Sequence, residues 1–125
     1  MQDKTKIITG KEGEKIAAAF LKKNGYRVME TNFRCPLGEI DMIAEEDGDI
    51  VFIEVKTRKS WALGYPEQAV GMKKQKKLSQ LALWYLQNNH LADKKTRFDV
   101  VAITMTSQRN EIHLIKNAFD FIDIH

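Results

Sequence analysis

The chain has 125 residues, a formal net charge of +3, and 43% hydrophobic against 30% charged side chains. That is enough length for one domain, residues 1–125, with a real core, and the balance excludes disordered and fibrous chains. No apolar run approaches membrane-spanning length, which excludes a membrane-crossing helix.

Taken in chain order, Thr9-Gly10-Lys11-Glu12 fits a capping box that starts a helix, with Ile16, Ala17, Phe20 and Leu21 as its apolar stripe and Gly25 as its terminator. Glu14 falls on the edge of that stripe. It is either a salt-bridged flank residue or a carboxylate aimed over a sheet. Residues 26–33 read as a first strand, and the Pro- and Gly-bearing loop 34–38 separates it from a hairpin of two strands, 39–44 and 50–56. A loop with Trp61 follows, placed to cover the core edge or stack on a base. Pro66 suits the first turn of a long helix to about residue 89, bent or broken at Gly71, with Leu78, Leu81, Ala82 and Tyr85 on its apolar face. Residues 98–103 are a nearly continuous apolar strand, as expected of a buried central one. Residues 112–115 return as an edge strand, and 117–121 are expected to form a short helical turn. Both helices must bury their stripes on the sheet, so the fold class is α/β, layered, with a mixed five-stranded sheet.

Within the hairpin, Glu46-Asp47-Gly48-Asp49 carries the Asp-Gly pair that favours a two-residue turn. With Asp47 and Gly48 at its centre, Asp41 lies opposite Glu54 and Glu39 opposite Lys56. Period two puts Glu54 and Lys56 on one face, shared with Ile43 and Phe52. Two carboxylates about 5 Å apart repel by roughly 3 kcal/mol at an effective dielectric near 20. A hard divalent cation turns that repulsion into coordination, while the plain alternative is a solvated strand face. A three-residue loop would set Asp41 against Val55 and separate the faces.

The single Cys35 cannot form an internal disulfide, and it reads as a small packing residue in a reducing compartment. The N-terminal stretch lacks the apolar core of a secretory signal, so the cytoplasm is the default. His90, His113 and His125 are scattered and suggest no zinc site. Lys56, Arg58 and Lys59 follow the carboxylates, and Lys73, Lys74, Lys76 and Lys77 cluster soon after. A polyanion such as DNA or RNA suits both groups, and so does an ordinary solvated helix face for the second.

These elements and carboxylates resemble the PD-(D/E)xK nuclease superfamily and its restriction-endonuclease-like three-layer core, αβββαβ. They are similar to archaeal Holliday-junction resolvases and, over almost the whole chain, to the bacterial YraN-like family. The segments that carry the resemblance are Gly10-Lys11-Glu12-Gly13-Glu14, Asn32-Phe33-Arg34, Gly38-Glu39-Ile40-Asp41-Met42-Ile43, Phe52-Ile53-Glu54-Val55-Lys56-Thr57-Arg58 and Arg97-Phe98-Asp99-Val100-Val101. Ile40 stands where the superfamily has a proline. The resemblance implies a metal-dependent endonuclease that hydrolyses phosphodiester bonds in DNA, structure-selective toward branched or junction substrates. It implies Glu14, Asp41, Glu54 and Lys56 as catalytic residues. Asp41, Glu54 and the carbonyl of Val55 would hold Mg²⁺ or Mn²⁺. Arg58, Gln68, Lys73, Lys74 and Lys77 would contact the nucleic acid, and by analogy two copies would form a homodimer. The competing classes are a non-catalytic nucleic-acid-binding module of the same fold and a protein-interaction domain.

Overall fold

The computed structural model describes residues 9–58, 70–105 and 109–122. Helix α1, Gly10–Lys23, starts at the predicted cap: the Glu12 N–H donates to Thr9 Oγ1, and the Thr9 hydroxyl donates to the Glu12 carboxylate, both at 3.2 Å. It ends where the Asn24 N–H returns to the carbonyls of Phe20 and Leu21, and Gly25 leaves at φ +89°. Strands β1 (Arg27–Cys35), β2 (Gly38–Glu46) and β3 (Asp49–Arg58) follow, then helix α2 (Met72–Asn88) and strands β4 (Thr96–Met105) and β5 (Asn110–Phe119).

The sheet runs in the order β1-β2-β3-β4-β5. β1, β2 and β3 form an antiparallel meander, β3 and β4 are parallel, and β4 and β5 are antiparallel, so the sheet is mixed as expected. Two cores make it three-layered. Ala17 and Leu21 of α1 pack on Met42, Ala44, Val51 and Ile53. On the opposite face, Leu78, Leu81, Ala82 and Tyr85 of α2 pack on Ile40, Ile43, Ile50 and Phe52. Cys35 is a partly buried neighbour of this second core, which fits its reading as a packing residue.

Gly71 is the N-cap of α2, in agreement with a break there and not with a bend, because the helical dihedrals begin at Met72; Pro66 lies outside the described residues. One boundary differs from expectation. The expected helical turn at 117–121 is strand up to Phe119. Asn117 takes a positive φ of 52° and donates its N–H to Asp99 Oδ1 at 2.9 Å, while the β4–β5 register shifts between Phe98 and Val100. That bulge carries β5 onward, and Phe119 stacks on Phe98 with centroids 4.8 Å apart, which keeps the segment extended.

Candidate functional site

Asp47 and Gly48 both have positive φ, 50° and 85°, the pattern of a type I′ turn whose twist matches its strands. The ladder it sets runs from Glu46↔Asp49 to Met42↔Ile53, the register expected from the Asp-Gly pair. Beyond Met42 the pairing stops, and the Val55 N–H donates to Asp41 Oδ2 at 2.8 Å. The side-chain alternation of β2 is interrupted at the same point: Ile40 packs in the α2 core and Met42, two residues on, in the α1 core. On the other side, β1 pairs Thr31 with Met42 and Phe33 with Ile40, so Asn32 is the rung facing Asp41. Asn32 has φ +51°, which asparagine tolerates better than most side chains. Both strands therefore bend at one rung, and the bend opens the sheet around Asp41.

Glu54 is only 6% exposed. Burial pushes its carboxyl up, the nearby Asp41 charge adds to this, and Lys74 and Lys56 oppose it, leaving the group above its usual range. Asp41 is also raised. Burial dominates, the Val55 N–H works against it, Glu14 adds to the rise, and Lys74 and Lys56 oppose it. Lys56 Nζ lies 3.5 Å and Lys74 Nζ 3.8 Å from Glu54 Oε1. The site is thus two mutually repelling carboxylates flanked by two ammonium groups.

The structure brings most of the predicted residues together. Glu14, half-buried on α1, lies near enough for its charge to act on Asp41, and with Lys11, Lys15, Ala18, Thr31 and Asn32 it lines a cleft of about 260 Å³. Val55 contributes backbone at the opened rung, and Arg58 ends β3 partly buried. Lys73 and Lys77 are exposed on α2, with the Lys77 stem close to Gly38. Lys74, grouped with them in the sequence, instead reaches Glu54. Glu39 does not face Lys56, because the ladder has ended; it pairs with Arg34 at 3.2 Å. Gln68 and Trp61 lie outside the described residues. Asn32 is the residue whose role at this rung sequence reasoning missed, and its only local signal was an asparagine in mid-strand.

Among the described residues, no three His, Cys, Asp or Glu side chains come close enough to hold a metal ion. The hard oxygen donors of Asp41 and Glu54 nevertheless fit Mg²⁺ or Mn²⁺, because such cations keep several waters and need only one or two carboxylates from the protein.

A mixed sheet between two helices, in the order αβββαβ with an added edge strand, makes this a three-layer α/β protein, with Asp41 and Glu54-Val55-Lys56 on adjoining strands. The family described as "Uncharacterised protein family UPF0102" matches residues 13–103, and the chain belongs to this family, the YraN-like one. A UPF0102 protein of Syntrophus aciditrophicus (strain SB) is 49% identical over 112 residues, covering 90% of this chain and 88% of its own. One of Caldicellulosiruptor saccharolyticus is 47% identical over 112 residues, covering 88% of this chain and 95% of its own. Among solved structures, a chain of the EndoMS–dsDNA2 complex aligns with a TM-score of 0.44 at 14% identity, over 78% of this chain and 39% of that one.

Proposed function

We propose that the protein is a metal-dependent endonuclease that hydrolyses phosphodiester bonds in DNA, with a preference for branched or junction structures. The observation that carries this reading is the convergence of Asp41 and Glu54, both pushed toward protonation, beside Lys56 where the β2–β3 ladder ends. Folding gains nothing from such a pair, and functional sites are where strain and like charge collect.

Asp41 and Glu54, with the Val55 carbonyl, would hold Mg²⁺ or Mn²⁺. When bound, such a cation supplies Lewis-acid chemistry, a more acidic water and neutralised phosphate charge. Lys56, a compact point charge on the same face as Glu54, stabilises the negative charge that builds on the phosphate oxygens and orients the attacking water. Glu14 acts on Asp41 from α1 and holds water on that side. Lys73 and Lys77, exposed on α2, together with Arg58 and Gln68, contact backbone phosphates and set position without reading sequence. The same reading puts the protein in the cytoplasm and has two copies act as a homodimer.

One observation favours a second reading, a nucleic-acid-binding module without catalysis: no third acidic group closes the site among the described residues. A cleavage panel separates the two. Single-stranded, duplex, flap and four-way-junction DNA are incubated with Mg²⁺ or Mn²⁺, wild type beside Lys56→Ala. The endonuclease reading expects metal-dependent cutting that falls at least a hundredfold in the variant, in line with losing a transition-state charge contact. Binding without cutting in wild type favours the second reading and overturns the first.

A further inference from the structure

Lys74 stands in an electrostatically awkward place. It lies in the first turn of α2, whose N-terminus has no acidic residue and no side-chain cap, and a helix N-terminus disfavours positive charge. Lys73 beside it adds like charge. Yet Lys74 points its ammonium at a nearly buried carboxylate, 3.8 Å from Glu54 Oε1. Its own side chain is 45% exposed, so it has room to swing on its four-carbon stem. Its charge ranks ahead of that of Lys56 among those that oppose protonation of both Asp41 and Glu54. Lys56 belongs to the same strand as Glu54, whereas Lys74 comes from a different layer and is the group free to leave.

We infer that Lys74 is a positioning residue that serves as the resident counter-cation of the Asp41–Glu54 pair, giving up its place when a divalent cation binds. This rests on the metal-site reading above. A lysine ammonium and a divalent cation cannot both sit against Glu54 without repelling one another. Cation affinity in the wild type is therefore the affinity of the bare carboxylates reduced by the work of displacing Lys74. In the absence of metal, the same lysine relieves the repulsion between the carboxylates and steadies the fold.

The test is calorimetric titration of the full chain with Mg²⁺ and, separately, Mn²⁺, alongside thermal melts with and without metal. Lys74→Met is expected to bind the cation more tightly, by about tenfold, since one unit charge close to the site is removed. Its melting temperature without metal falls, and the rise on adding metal is larger than in wild type. Lys74→Arg, which keeps the charge, returns the affinity toward that of wild type. Lys76→Met, on the same helix, leaves it unchanged. A surface ion pair with no role at the site predicts equal metal affinity in Lys74→Met and wild type, and a supporting contact to the ligands predicts weaker affinity; either result overturns the inference. Absence of metal binding in wild type itself overturns the reading of the site on which the inference rests.

Discussion

Asn32 and Asp41 share one rung, and each explains the other. Asn32 holds a left-handed conformation in mid-strand, and across from it Asp41 leaves the alternation of β2 and accepts the Val55 N–H. A β-branched residue at position 32 cannot adopt φ +51° without strain. Asn32→Val should therefore cost about 1–3 kcal/mol in urea denaturation, seen as a lower midpoint at unchanged slope, whereas Asn32→Gly keeps the backbone and loses less. Equal stability of the valine variant and wild type would mean that the rung is not bent as described. Glu54 and Lys56 were legible from the sequence because period two along β3 puts them on one face, and the Asp-Gly turn brings Asp41 to the adjoining strand, although the ladder ends at Met42 before the expected Asp41–Glu54 pair. Asn32 was not, because a lone positive φ outside glycine leaves no periodic trace.

At the scale of elements, α1 and the β2–β3 hairpin follow local chemistry closely. A capping box starts the helix, and a type I′ turn sets the strand register. Local rules lost their hold where distant contacts decide. The segment 117–121 looked helical from its own residues, but Asp99 of β4 draws the Asn117 N–H into a bulge and Phe98 stacks on Phe119. The position of Lys74 was half legible: the sequence groups it with Lys73, Lys76 and Lys77, but only the packing of α2 over β2 and β3 shows that it reaches Glu54 while Lys77 stays near Gly38. The resemblance-bearing segment Arg97-Phe98-Asp99-Val100-Val101 likewise divides by face. Phe98 and Val100 lie in the α2 core, while Asp99, on the other face, accepts from the Tyr26 hydroxyl at 2.7 Å.

At the scale of the whole molecule, a polar network ties together the end of the sheet remote from the carboxylate pair. Arg97 reaches Glu46, Asp49, Asp99 and the Tyr26 hydroxyl, and Lys116 bonds both oxygens of Glu46 at 2.9 Å. Residues from four strands, and Tyr26 just ahead of β1, thus meet around one guanidinium. Burial pushes the Glu46 carboxyl up, but hydrogen bonds from Lys116 and Arg97 outweigh it and leave the group below its usual 4.5. A carboxyl depressed in the folded state contributes stability that is present above its unfolded value and lost as pH falls through the folded one. Glu46→Gln should therefore be less stable than wild type by about 1–2 kcal/mol at pH 7, with the gap closing as the pH drops below 4.5. Urea midpoints of both proteins from pH 7 to pH 3 read this directly, and a gap that does not change with pH would contradict it. Asp41 and Glu54 have the opposite sign: raised in the folded state, they make the metal-free protein less stable as they ionise. One end of the sheet is a charge network that supports the fold, and the other is a charge pair that works against it.

Calorimetric titration of Mn²⁺ into wild type and Asp41→Asn under identical conditions tests that contrast at its acidic end. A single site is expected in wild type and is lost in the variant, although the variant folds and is at least as stable without metal, because a buried like charge has been removed. Equal Mn²⁺ affinity in the two proteins would contradict that expectation, since the cation would then sit somewhere other than between Asp41 and Glu54.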